Sequence, residues 1–124
     1  MPLDWSCGAL AEGLACYTRA EFFEAHEHWE SVWLTLAEPE KSFLQALIQV
    51  TAAFHHLAVG NRVGAISLLT RAQRRLDRCP ASFGGIAVAP LLTNISQWLR
   101  TLEDGADAEL PPHPQIFPAG QRAK

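Results

Sequence analysis

This chain of 124 residues has few cysteines, a small net charge and no long apolar run. The three cysteines, Cys7, Cys16 and Cys79, are odd in number, and no two of them have CxxC spacing. The sequence therefore indicates neither a disulfide framework nor a zinc ribbon, and free thiols in a reducing cytoplasm are the simplest interpretation. A net charge of −3 gives no overall attraction to nucleic acid or to an anionic membrane.

No segment has the composition of a membrane span or a secretory leader. Residues 42–61 contain no Asp, Glu, Lys or Arg, but they include several amide, hydroxyl and imidazole side chains. Residues 1–5 lack the basic region and the apolar run of a signal peptide. We therefore expect a cytoplasmic protein that makes no contact with a membrane.

Helical periodicity runs along most of the chain. Apolar residues make up 48% and charged residues 19%, which is typical of a folded globular domain. Apolar side chains recur at helical spacing, without strand-like alternation, in about five segments: residues 7–17, 20–37, 40–59, 62–78 and a last one that begins near residue 90. Short connections predict an all-α, single-domain helical bundle over residues 1–104. Residues 105–124 form a Pro/Ala-rich tail, in which Ile116 and Phe117 could pack on the bundle.

The second predicted helix places a histidine and a carboxylate on its apolar side. With a rotation of about 100° per residue, Trp29 and Trp33 lie within about 60° of His26. Glu30 lies about 40° from His26 on the same stripe, and Glu27 lies at its edge. Because buried polar groups need partners, we expect polar side chains elsewhere to meet them. The two tryptophans are expected in the core, with the lining of an aromatic pocket as the alternative.

The third predicted helix carries the polar side chains that we expect as partners. Gln45, Gln49 and His56 follow one side of a helix that is otherwise apolar around most of its circumference. Buried amides and imidazoles also need hydrogen-bond partners. We therefore predict that these side chains, called the polar line below, pack against the segment 26–30 in a buried interhelix cluster.

Two chemical interpretations of this cluster remain open. In the first, it is a hydrogen-bonded core network, and the protein is a structural or interaction module. In the second, His26 and Glu30, at i and i+4, bind a divalent metal with His56 as the third ligand. Glu27 would then be a base in a hydrolase-like or ligand-binding site. We favour the first interpretation, so no catalytic residue or cofactor is assigned, and whether the chain is an enzyme stays open.

Three motifs together resemble one known family. The runs FFEAHEHWESVW and FLQALIQVTAAFHH, followed by the turn GNRVGA, are similar to the bacterial and archaeal domain of unknown function 309. The resemblance covers residues 16–88 and implies a small all-α fold without an established activity. Where the family often has Gly-Ile-Asp after the fourth helix, this chain has Gly85-Ile86-Ala87, so no role of that Asp is carried over.

The fourth predicted helix carries a basic stripe. Arg71, Arg74, Arg75 and Arg78 follow at i, i+3, i+4 and i+7, a spacing that could meet phosphates. No interleaved aromatic residue accompanies them, so a solvated face that pairs with acidic side chains is the better interpretation. Three classes of function therefore remain: an interaction module that binds a protein partner or a second copy, a metal- or small-ligand-binding protein, and a weak anion or nucleic-acid binder. Nucleic acid is the least expected partner.

Overall fold

The computed structural model describes residues 3–104 and 111–116, and these form five α-helices and one small sheet. The helices are α1 (Gly8–Thr18), α2 (Phe22–Trp33), α3 (Glu40–Ala58), α4 (Arg62–Leu76) and α5 (Val88–Asp104). Strands β1 (Ser82–Phe83) and β2 (Ile86–Ala87) pair antiparallel between α4 and α5. The predicted all-α fold is confirmed, whereas the predicted boundary at residue 105 lies outside the described residues. Within the described ranges, no helix has the length and apolar content needed to cross a membrane.

α3 is the central helix and packs against both α2 and α4. Its side chains Phe43, Leu47 and Phe54 are at most 2% exposed, and burial of each such side chain contributes about 1.5–3 kcal/mol. The buried hydroxyl of Thr51 donates a hydrogen bond to the Leu47 carbonyl oxygen at 2.9 Å, so it is not left unpaired. The predicted burial of α3 on several sides is therefore confirmed.

α1 and α2 meet where a glycine faces a tryptophan. Trp29 is fully buried, and its indole N–H donates to the Leu10 carbonyl oxygen at 3.2 Å. The ring centroids of Trp5 and Tyr17 lie 5.9 and 6.1 Å from that of Trp29. A Cβ atom on Gly13 would lie 2.3 Å from Trp29 Nε1. Gly13 weakens the helix propensity of α1, but it also creates the space that Trp29 occupies.

Turn residues explain where α4 and the hairpin begin. Asn61 caps α4 by accepting a hydrogen bond from the Gly64 N–H at 3.0 Å, and Gly60, with φ of 85°, follows α3. Gly84 and Gly85 both have positive φ, as a two-residue hairpin turn of type I′ requires. The sequence predicts only a loop at this hairpin, because strands of two residues show no measurable alternation.

Part of the predicted tail packs on the bundle. Tyr17 and Trp98 donate side-chain hydrogen bonds to backbone carbonyl oxygens of residues 111–116, at 2.5 and 2.9 Å. Ile116 is 6% exposed, so its predicted packing is confirmed, whereas Phe117 lies outside the described residues. Burial raises the pKa of Tyr17 far above its ordinary value.

Candidate functional site

The side chains that were predicted to form a buried cluster on α2 lie mainly at the surface. His26 is partly buried, whereas Glu27 and Glu30 are exposed. The Glu30 carboxylate lies 3.9 Å from His26 Nε2, with 55% and 32% of the two side chains exposed. The predicted burial of Glu27 and Glu30 is therefore wrong, and the His26–Glu30 pair adds little stability because solvent screens it.

α2 is rotated relative to its predicted orientation. Its buried side chains are Phe22, Ala25 and Trp29, and the centre of this stripe lies about 70° from His26. The rotation moves Glu30 to about 110° from the buried centre and turns Glu27 outward. Helical periodicity places Trp29 correctly, but it does not fix which edge of the apolar stripe faces the core.

The polar line on α3 does not join α2 through hydrogen bonds. Gln49 is 7% exposed, and its side-chain oxygen has no partner among the described residues. Gln45 is partly buried, and His56 Nδ1 lies 3.0 Å from the side-chain nitrogen of Asn61. His56 therefore stabilises the turn between α3 and α4 instead of meeting His26. Among the described residues, no hydrogen bond or ion pair joins the polar line to the segment 26–30.

The predicted metal ligands do not assemble as a set. In residues 3–104 and 111–116, no three His, Cys, Asp or Glu side chains come together in a way that could hold a metal ion. His26 and Glu30 form an ion pair, but the imidazole ring of His56 is hydrogen-bonded to the side chain of Asn61. The pair thus lacks the third protein ligand that a catalytic zinc site of this type uses.

The two tryptophans of α2 have different environments. Trp29 belongs to the core, as expected. Trp33 is partly exposed and lines a surface cleft of about 210 Å³. The other side chains that line this cleft come from the turn after α2, from α3 and from α4: Glu38, Lys41, Ser42, Gln45 and Arg75. We call it the Trp33 cleft.

A second depression, of about 280 Å³, continues the first and shares Glu38, Ser42 and Arg75 with it, and the name Trp33 cleft covers both depressions below. It adds Arg78 and several apolar residues. The sequence shows Arg75 and Arg78 as members of one basic stripe. It does not show that Arg75 lies near Trp33, because the cleft joins segments far apart in the chain and no local pattern reports that distance.

Glu38 is the carboxylate of the Trp33 cleft, and Ser42 holds it in place. The Ser42 hydroxyl and backbone N–H both donate hydrogen bonds to it at 2.9 Å. These hydrogen bonds, with smaller effects from the charges of Arg75 and Lys41, lower the pKa of Glu38 below its ordinary value. Glu38 is therefore ionised at neutral pH.

The exposed side of α2 is both acidic and apolar. Phe23, Glu27, Glu30 and Leu34 follow at i, i+4, i+7 and i+11 on the side opposite the buried stripe, and we call them the acidic face. Phe23 and Leu34 are 52% and 69% exposed, and α2 contains no Lys or Arg. The acidic face thus has two carboxylates between two large apolar side chains.

The exposed side of α4 is basic and begins with an apolar residue. Val63, Ser67, Arg71 and Arg74 follow at i, i+4, i+8 and i+11, and we call them the basic face. Val63 is 80% exposed, and α4 contains no Asp or Glu. No ion pair joins α4 to α2 in the part of the chain that the structure describes. The two faces therefore do not neutralise each other within one copy.

The family described as Domain of unknown function (DUF309) matches residues 10–68. These residues belong to that family. The match runs from α1 into the first half of α4, and it includes both motif helices and the Gly60-Asn61 turn. The resemblance seen in the sequence is therefore confirmed, and the family description assigns no activity.

A relative from Aquifex aeolicus (strain VF5), named as an uncharacterized protein, is 29% identical over 102 residues, which is 82% of this chain. The matched part is 31% of the relative, so this chain spans about a third of the relative's length. Neither of these two similarities comes with a named substrate or partner.

Proposed function

We propose that this protein is an interaction module that binds a second copy of itself, with the acidic face of one copy against the basic face of another. One observation carries the proposal: the two exposed faces have opposite charge, and both expose apolar surface, Phe23 and Leu34 on one and Val63 on the other. Single exposed apolar side chains are common on soluble proteins, but their combination with opposite charges on separate helices favours self-association.

The acidic and basic faces have matching patterns. Each extends from i to i+11, which corresponds to about 16 Å of helix at about 1.5 Å per residue. Glu27 and Glu30 are three residues apart, as are Arg71 and Arg74, so the two pairs of opposite charges can align. In that alignment Phe23, four residues before Glu27, lies opposite Ser67, one helical turn from the apolar Val63.

Apolar contact and charge have different roles in this association. Removal of apolar surface from water contributes about 25 cal/mol per Å² and supplies most of the affinity. Each exposed ion pair adds about 1 kcal/mol or less to the binding free energy. Repulsion between like charges disfavours the pairing of two acidic or two basic faces. Because a single helix face is smaller than the roughly 800 Å² per partner of a standard interface, we expect a dissociation constant on the order of 10 µM.

Sedimentation velocity over a range of protein concentrations tests this proposal. The wild-type protein should associate more strongly at low salt, because salt screens charges at the surface. The variant Glu27→Lys with Glu30→Lys should be monomeric, and so should Arg71→Glu with Arg74→Glu, since each then presents two faces of the same sign. A mixture of the two variants should associate again, because each supplies the face that the other lacks.

A control variant distinguishes an effect of the two faces from an effect of the protein's net charge. Glu103→Lys makes the same kind of charge change at an exposed position on α5, outside both faces, and it should associate like the wild type. A wild-type monomer at all concentrations up to about 0.2 mM would contradict the proposal. Association that survives both double reversals would also contradict it.

A further inference from the structure

Trp33 differs from the other tryptophans in the bonding of its indole N–H. Trp5, Trp29 and Trp98 each donate this N–H to a backbone carbonyl oxygen, at 2.7, 3.2 and 2.9 Å. The indole nitrogen of Trp33 is shielded from solvent and has no hydrogen-bond partner among the described residues. Buried donors without a partner are rare, and this one belongs to a side chain that lines a cleft.

Three cations surround the Trp33 cleft. The Lys41 Nζ atom lies 4.5 Å from the ring centroid of Trp33, and Arg75 and Arg78 line the cleft from α4 and its C-terminal end. None of these three cations forms an ion pair with a described carboxylate. Glu38 already accepts two hydrogen bonds at the start of α3. Three positive charges and one negative charge therefore leave an excess of two positive charges in the cleft.

Apolar rings complete the walls of the Trp33 cleft. Phe43 and Phe83 pack edge to face, with ring centroids 5.1 Å apart, and both line the second depression. Pro39 and Pro80 lie at the same depression. Pockets that combine apolar walls with a few convergent polar groups are typical of small-molecule sites. Here the polar groups are cationic, so the matching ligand is an anion that carries an apolar group.

We infer that the Trp33 cleft binds a small organic phosphate, with the phosphate near Lys41, Arg75 and Arg78 and the apolar group against the aromatic rings. The planar guanidinium group forms paired hydrogen bonds with phosphate oxygens, and the excess of two positive charges matches a phosphate dianion. Volumes of about 210 and 280 Å³ limit the ligand to a small molecule. The unpaired N–H of Trp33 is available as a further donor.

Calorimetric titration with phenyl phosphate, inorganic phosphate and phenol tests this inference. Phenyl phosphate should bind with a dissociation constant of about 0.1 mM, inorganic phosphate should bind about tenfold more weakly, and phenol should show no binding. In ¹H–¹⁵N spectra, the indole resonance that disappears in Trp33→Phe should shift with phenyl phosphate. The indole resonances of Trp5, Trp29 and Trp98 provide the internal reference and should not shift.

Two adjacent arginines on α4 provide a matched pair of variants. Arg75→Ala should weaken the binding of phenyl phosphate about tenfold, whereas Arg74→Ala, at an exposed residue that does not line the cleft, should leave it unchanged. Equal effects of the two variants would show binding to a diffuse basic surface and overturn the inference. Absence of binding at about 10 mM phenyl phosphate, or binding without a shift at Trp33, would also overturn it. Arg74 belongs to the basic face and Arg75 does not, so Arg74→Ala should weaken only self-association and Arg75→Ala only the binding of phenyl phosphate, which tests the two proposals separately.

Discussion

Replacement of Gly13 by alanine should destabilise the fold, although alanine is the better helix former. Gly13 lies inside α1 and is buried against Trp29. An added Cβ atom would lie 2.3 Å from Trp29 Nε1 and 2.4 Å from Trp29 Cδ1, far inside ordinary van der Waals contact. Either the indole ring or the backbone of α1 must therefore move.

Three contributions determine the size of this effect. Trp29 is fully buried beside Trp5 and Tyr17, so its indole ring has little room to shift. Overpacking of this kind costs about 1–3 kcal/mol. Loss of the hydrogen bond to the Leu10 carbonyl oxygen adds about 1 kcal/mol. The better helix propensity of alanine offsets about 1 kcal/mol, so the free energy of unfolding should fall by about 2 kcal/mol.

Urea unfolding followed by circular dichroism measures this loss. Ala15→Gly is the control, because Ala15 is exposed on the same helix and its replacement reports helix propensity without a contact to Trp29. It should lower the free energy of unfolding by about 1 kcal/mol. A Gly13→Ala variant that is more stable than the wild type would refute the packing argument and leave helix propensity as the dominant effect.

Three further substitutions test separate contacts. Asn61→Ala removes the hydrogen-bond acceptor for the Gly64 N–H and should lower the free energy of unfolding by about 1 kcal/mol in urea; unchanged stability would exclude a role of this cap. Tyr17→Phe should cost about 1 kcal/mol, because the Pro114 carbonyl oxygen loses its donor. Burial raises the pKa of Tyr17, so stability should fall as the pH rises above about 10. Because Tyr17 is the one tyrosine of the chain, phenolate absorbance should appear together with unfolding and not before it. Glu30→Ala should change stability by less than about 0.5 kcal/mol, and a larger loss in the same assay would mean that the carboxylate is not solvent-screened.

Helix boundaries are predictable where neighbouring residues determine them. The predicted range of α3, 40–59, agrees with Glu40–Ala58, because Pro39 precedes the first turn and Gly60 adopts positive φ after the last. α4 begins at Arg62 as predicted, because Asn61 caps it. α2 is shorter than its predicted range 20–37, since Ala20, with φ of 62°, belongs to the preceding turn and the helix ends at Trp33.

The Trp33 cleft is not predictable from local sequence. Trp33, Lys41 and Arg75 come from different helices, and only the packing of α3 against both α2 and α4 brings them together. The arginine stripe on α4 is visible in the sequence, but helical spacing alone does not separate Arg75, which lines the cleft, from Arg74, which is exposed. That difference depends on the rotation of α4 about its own axis.

The rotation of α2 explains in the same way why the predicted buried cluster does not form. Trp29 and His26 share one predicted stripe, and the sequence of α2 allows either of them to face the core. Gly13 decides between them, because only the absence of a Cβ atom lets the indole ring approach α1. With Trp29 fixed there, Glu30 lies about 100° around the helix axis from Trp29, on the side of the solvent. A Gly13→Ala variant that displaces Trp29 should therefore also shift the imidazole NMR signals of His26, since the position of the His26–Glu30 pair follows the rotation of α2.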